Sequence, residues 1–401
     1  MNELYIARQP IYDTRLEVVG YELLYRGSEK QQADIHDEYQ ATCDTIIHSF
    51  MDVGIDNLVG SAQAYINFPQ EFIVGDVFAP FFTEQSVLEL SQYITPNKEV
   101  LDGLNGLKSQ GYKIALDNFR YDEISIPLLE LADYVKIDVL DSDEEKIKQQ
   151  LDLIKDFGVK LIAQKVETQE MKDLCIQCGF DYFQGFFFCK PQIVKETQIP
   201  ANRMVVLNLL SKIQDPEVDF DEFQLILSQD VTLSYKLLRY INSAMFGLRR
   251  EVESIKDAVV LLGQDNVRKW LSLILLSRLE TDKPDELIVV ALTRGKMCEL
   301  LAAEIYPHAV PQMFIIGLFS VLDALMDRPM VELLDTVILS APIKLALLDQ
   351  SGDHGEILNL VYAYEQFKFD ELDKSTIACQ NLRNCYLESL EWAEQTIRTI
   401  K

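Results

Sequence analysis

The chain reads as an α/β domain joined to an all-α one: a TIM-like (β/α)8 barrel with an antiparallel first strand, then a helical domain. Three observations predict this. At 401 residues the chain exceeds one typical core. Its first half alternates short apolar runs with polar stretches long enough for helices, and after Pro191 the apolar residues recur at helical spacing instead. With 48% hydrophobic and 25% charged residues, disorder and low-complexity behaviour are excluded.

In chain order, strands are predicted over 5–11, 16–25, 64–68, 86–90, 113–117, 134–137, 160–163 and 182–188. The first two are joined only by residues 12–15, which permits a hairpin and forbids a parallel crossover. Ser142-x-x-Glu145 is a start signal for a helix running to Phe157. The polar stretch 195–203, with Pro200 inside it, marks a domain boundary, giving domains at 1–197 and 198–401. Beyond it, helical spacing links Val206, Leu209, Leu210 and Ile213, then Phe223, Ile226 and Leu227, then Leu233, Leu237 and Ile241. Ser254-x-x-Asp257 opens another helix, which Gly263 stops.

The net charge is −27, with −17 before residue 198 and −10 after it. Such a field repels duplex nucleic acid and anionic membranes, so direct nucleic-acid binding is disfavoured. Seven cysteines, an odd number, and the lack of an apolar leader read as a reduced, cytoplasmic protein. The apolar runs fall short of a membrane span.

Polar residues stand at the C-terminal ends of successive strands: Glu22, Asn67, Glu89, Asp117, Lys136, Gln164 with Glu167, and Gln184. That rim is where α/β barrels build their sites. Three carboxylates and an amide oxygen suit a hard divalent cation, Mg²⁺ or Mn²⁺, and Lys136 would face an anionic substrate. For any one of these residues, a solvated rim position is the simpler explanation; the ordered set points to a site.

Over residues 5–192 the chain resembles the EAL domain, the cyclic di-GMP phosphodiesterase module of bacterial signalling proteins. The motifs follow in family order: Gln9-Pro10-Ile11; Gly20-Tyr21-Glu22-Leu23-Leu24-Tyr25-Arg26; Ile66-Asn67-Phe68; Leu88-Glu89-Leu90; Ala115-Leu116-Asp117-Asn118-Phe119; Lys136-Ile137-Asp138; Ala163-Gln164-Lys165-Val166-Glu167-Thr168; and Gln184-Gly185. The resemblance implies a two-metal hydrolase site. In it Glu22, Asn67, Glu89 and Asp117 match the first-metal ligands, Arg26 a contact to the ligand phosphate, and Lys136 and Gln184 further site positions. Gln9 joins the ligand-binding candidates.

The departures bear on activity. Asn118 stands for the family's second Asp, Gln164 for a Glu, Lys165 for a Gly, and Gln92 for the Glu that braces the loop after the fourth strand. A neutral amide at 118 is a poor bridge between two cations, and Gln164 cannot act as a base. General-base catalysis alone is worth roughly 10²- to 10⁴-fold, so no useful hydrolase activity and no catalytic residue is expected, although Lys136 and Glu167 are retained. Lys165 also sets a cation beside the metal position. Arg26 and a residual metal site favour cyclic di-GMP binding, whereas bulky Arg120 and Tyr121 in the rebuilt loop oppose it. The reading leans to weak or absent binding.

Residues 200–401 resemble the HDOD domain, a helical relative of the HD phosphohydrolases. The likeness rests on Gln229-Asp230 with 233–238, on Ile241-Asn242-Ser243-Ala244-Met245-Phe246-Gly247, and on 254–263. Where HD enzymes carry a metal-binding His-Asp pair, the comparable stretch 317–323 places Ser320 and Val321. Only four histidines exist, at 36, 48, 308 and 354, so a rebuilt metal cluster is disfavoured and an interaction module is implied. Cys175-x-x-Cys178 with Cys189 has metal-like spacing, but packing is the plainer reading. The basic pairs 249–250 and 268–269 read as ion-paired surface, and Asn242-Ser243 as a helix cap or turn rather than a partner-binding corner.

The leading reading is a signalling regulator or scaffold: a degenerate EAL barrel joined to an HDOD domain that binds signalling proteins, in cyclic di-GMP or two-component pathways. It requires no cofactor, with Mg²⁺ or Mn²⁺ at the residual site as the open alternative. Two competing readings remain, a weak metal-dependent phosphodiesterase and a cyclic di-GMP receptor. A homodimer stays open.

Overall fold

The computed structural model describes residues 4–27, 54–75, 84–140, 142–189, 201–215, 231–242, 252, 254–277, 279, 283–368, 372 and 381–400. It divides into two compact units, Met1–Phe188 and Cys189–Lys401. The expected cut at 197/198 lies outside the described residues. So do Phe223, Ile226, Leu227, His36, His48, Cys43, Cys379, Gln229-Asp230, 243–247 and Arg249-Arg250.

The first unit is a closed barrel in strand order β1 to β8: Leu4–Asp13, Val18–Gly27, Gln63–Asn67, Ser86–Ser91, Lys113–Asp117, Tyr134–Asp138, Lys160–Gln164 and Tyr182–Gln184. β1 is antiparallel to both β2 and β8, and all other neighbours are parallel. The hairpin predicted from the short link is present. Leu16, expected to begin β2, lies in the turn at φ 63°, where Asp13 accepts hydrogen bonds from the backbone N–H of Arg15 and Glu17.

β8 ends at Gln184, short of the predicted 188. The following Gly185 passes so close to β7's exit that a Cβ there would lie 2.0 Å from the Val166 carbonyl oxygen, and the chain then turns into a 3-10 segment, Phe187–Cys189. The helix predicted from Ser142 starts one residue later. Asp143 is its cap, accepting from Lys146 N–H at 2.9 Å, because its carboxylate reaches the third helical amide.

Side chains alternate across a strand, so residues two apart share the barrel interior. Ile11, Tyr65, Val87, Ala115, Tyr134 and Ile162 form an apolar layer. Two residues further along their strands, Asn67, Glu89, Asp117, Lys136 and Gln164 follow. Gly20 makes room in the apolar layer, since a Cβ would lie 2.6 Å from the Tyr65 ring, and Glu22 follows it. The polar mouth is thus a period-2 consequence of the packed layer beneath it.

The described part of the second unit is helical throughout, from Ala201–Gln214 to Leu382–Ile400. Val206, Leu210, Ile213, Leu237 and Ile241 are buried as the spacing predicts. Ser254 Oγ accepts from Asp257 N–H, and Gly263 ends that helix at φ 78°. Helices Glu286–Ile305 and Val310–Phe319 approach closely at glycine: a Cβ on Gly317 would lie 2.5 Å from the Arg294 backbone.

Candidate functional site

Lys136 is fully buried, and its ammonium donates to Glu22 Oε2 and Glu89 Oε1, both at 2.6 Å, with Asp117 Oδ1 at 3.5 Å. Gln184, also buried, donates through Nε2 to Glu22 Oε2 at 2.6 Å and Gln9 Oε1 at 2.8 Å. Gln164 donates to Asp117 Oδ1 at 2.8 Å. The strand ends therefore bring Gln9, Glu22, Glu89, Asp117, Lys136, Gln164 and Gln184 into one network. Asn67 is half-buried at the end of β3, beside Glu89 in the register.

Burial drives the Glu89 carboxyl above the ordinary carboxylate range, and the Glu22 charge adds to this against the pull of Lys136. For Lys136, burial pulls downward, but Glu22, Glu89 and Asp117 together raise its pKa and keep it an ammonium. Three carboxylates share one cation, and Glu89 Oε2 is buried without a hydrogen-bond partner. Nominal negative charge is in surplus.

Two residues at the mouth carry left-handed backbone: Asn118 at φ 47° and Lys165 at φ 58°. Asn tolerates this region, while Lys there costs about 1–2 kcal/mol. Lys165 Nζ pairs with Asp138 Oδ2 at 2.5 Å. With 59% and 28% of their side chains exposed, such a pair returns only about 0.2–1 kcal/mol. Stability alone therefore leaves Lys165 unexplained.

Glu22, Asn67, Glu89 and Asp117 have the chemistry to hold one hard divalent cation, and Glu89 Oε2 is a spare donor. Among the described residues, however, no three Asp, Glu, His or Cys side chains converge into a metal-binding group. Lys136 Nζ lies within 3.5 Å of all three acids and would have to withdraw. A second cation fits worse: Asn118 is neutral, Gln164 turns its amide N–H₂ on Asp117, and Asp138 is taken by Lys165.

Other predicted residues are placed as follows. Arg26 lies in β2 opposite Tyr5, its side chain outside the described residues. Gln92 is exposed on the turn after β4, and Glu167 is half-buried in the loop after β7. Cys175, Cys178 and Cys189 are free thiols; burial pushes Cys175 up to about 12, as for a packing residue. Asn242 bridges the backbone N–H and C=O of Val252 at 2.8 and 2.9 Å, a turn device. The Lys165–Asp138 pair was not foreseen, although a Lys in a family glycine position was its signal.

The helical half also buries a cation, Arg294, that sequence reasoning missed. Arg294 Nε donates to both Glu365 oxygens at 2.9 and 3.1 Å, Nη1 donates to Ser320 Oγ at 3.1 Å, and the guanidinium lies 4.8 Å from the Tyr362 ring centre. Ser320 is the residue standing where an HD enzyme's metal-binding pair begins. A charged residue in the middle of the apolar helix Glu286–Ile305 was the available signal.

Fold and mouth define a class: a (β/α)8 barrel with an acid and amide rim, joined to a helical unit. The EAL domain family matches residues 79–191 and the HDOD domain family residues 199–326. Cyclic di-GMP phosphodiesterase CdgJ of Vibrio cholerae is 31% identical, over 100% of this chain and 94% of its own. Uncharacterized protein YuxH of Bacillus subtilis is 30% identical, over 97% and 98%. The chain belongs to the family that joins an EAL domain to an HDOD domain. Among solved structures, the calcium and cy-diGMP complex of Klebsiella pneumoniae BlrP1 matches at 21% identity and TM-score 0.39, covering 46% of this chain and 54% of that one. No helix among the described residues is long and apolar enough to cross a membrane.

Proposed function

We propose that the chain is a cyclic di-GMP signalling regulator in which a barrel that does not hydrolyse the dinucleotide is joined to a helical half that binds signalling proteins. One observation carries the reading: at the position matching a family carboxylate, Gln164 donates to Asp117 instead of offering a group that takes a proton from water. Asn118 deepens the loss by removing a charged bridge. In this reading Glu22, Asn67, Glu89 and Asp117 are an inherited ligand set for one Mg²⁺ or Mn²⁺. A bound ion would neutralise phosphate charge, while Arg26, Lys136, Gln184 and Gln9 would face the dinucleotide.

The test is incubation of the full chain with cyclic di-GMP and Mn²⁺, followed by chromatography for the linear dinucleotide. None is expected, and steady turnover overturns the reading. Asn118→Asp with Gln164→Glu is expected to raise any residual rate at least about 10²-fold.

A second reading, a weak phosphodiesterase, is favoured by the name of the Vibrio cholerae relative, and the same assay decides it. Titration calorimetry with cyclic di-GMP tests the receptor variant. A pull-down from native cells, with and without residues 1–192, tests whether the helical half alone recruits proteins. The acidic charge favours partners with basic surfaces.

A further inference from the structure

We propose that Lys165 is a tethered cation at the barrel mouth: its ammonium, held on Asp138, stands in for a second divalent ion and limits the mouth to at most one. The inference rests on the family reading above, because it is the inherited two-ion site that Lys165 modifies.

Register brings the parts together. Asp138 ends β6 directly opposite Gln164, the end of β7, so Lys165 leaves the barrel beside Asp138 and reaches its Oδ2 at 2.5 Å. On the other side of β6, the chain leaving β5 is tied down by Phe119 N–H donating to the Lys136 carbonyl, which sets Asn118 at the same rim. Across these three strand ends the acids are already engaged: Asp138 by Lys165, Asp117 by Gln164. An incoming divalent ion needs unpaired anionic oxygens and is repelled by the Lys165 ammonium paired with Asp138 at the same rim.

Backbone strain is the second observation. Lys165 sits at φ 58°, where glycine, the residue the family resemblance places there, is unstrained. A half-exposed ion pair does not offset that strain. Strained backbone concentrates at functional sites, and here it lies at the barrel mouth.

The experiment is Mn²⁺ stoichiometry on the full chain, by equilibrium dialysis with metal analysis at millimolar free ion. The unaltered chain is expected to take at most one ion. Restoring the acids with Asn118→Asp and Gln164→Glu while keeping Lys165 should add none, and adding Lys165→Gly should add one. Two ions on the unaltered chain overturn the proposal, as does equal uptake by the double and triple variants.

Lys165→Gly alone relieves the backbone and keeps the test independent of the triple variant's folding. It should tighten binding of an ion at the first site by at least about threefold, and unchanged affinity counts against the proposal. The turnover assay separates the two readings. Two ions without hydrolysis would sink this inference and leave the non-hydrolytic barrel standing; one ion with hydrolysis would do the reverse.

Discussion

Each half of the molecule buries a cation, and the two are balanced differently. Lys136 in the barrel is shared by Glu22, Glu89 and Asp117, so acid is in excess, one carboxylate oxygen has no partner, and the rim beside it carries strained backbone at Lys165. Arg294 in the helical half has one carboxylate, one hydroxyl and one aromatic face, which together use both edges and the plane of the guanidinium. The barrel nest lies at the strand-end rim and leaves negative charge in surplus. A balanced nest between packed helices is arranged for the fold. The comparison separates a buried cation with acid in excess from one whose partners match it.

The largest expected effect tests the barrel nest. Lys136→Met leaves three acids without their buried counter-charge and should cost about 3–5 kcal/mol, measured by hydrogen exchange of the barrel strand amides. Adding Glu89→Gln should recover only part of this, because the Glu22 and Asp117 side chains remain without their partner. Full recovery would show a simple pair and erase the contrast with Arg294.

The helical nest should behave as that simple pair. Arg294→Met strands Glu365, whose carboxyl burial already raises against the pull of Arg294, and should cost about 3 kcal/mol. Arg294→Met with Glu365→Leu should regain most of it. Both tryptophans, Trp270 and Trp392, lie in this half and touch each other at 5.6 Å, so urea unfolding followed by their fluorescence reports it separately. A double variant no more stable than the single one would mean that Arg294 serves more than Glu365.

The barrel was legible in the sequence because strands β3 to β7 repeat one device, an apolar layer residue followed two positions later by a polar rim residue. Strand ends were less legible. Nothing in the run 182–188 signals that Gly185 must pass within van der Waals distance of Val166. The rim residues were found, but not their partners: Lys136 meets carboxylates of β2 and β4 across the barrel interior and Lys165 meets Asp138 of the neighbouring β6, contacts that only the closed barrel sets. Arg294 went unread for the same reason. Its partners, Ser320 and Glu365, lie 26 and 71 residues away and no motif links them.

The smallest effect tests whether the helical nest is as balanced as claimed. Asp323 is the acid left over there: burial raises its pKa, against the pull of its own helix-start amide and then of Arg294. A carboxyl whose folded pKa exceeds its unfolded value, about 3.9, contributes stability that is present below that value and is lost as pH rises through the folded pKa. At neutral pH the charged Asp323 is therefore a net cost. Asp323→Asn, which can still accept the Ala324 N–H bond made at 2.8 Å, should stabilise the helical half by about 1 kcal/mol or less. The advantage should close below about pH 3.9. Urea midpoints read by tryptophan fluorescence across pH measure both. A variant less stable than the parent at neutral pH would mean that Arg294 spends its charge on Asp323 as well as Glu365, making the helical nest a shared cation like the barrel's.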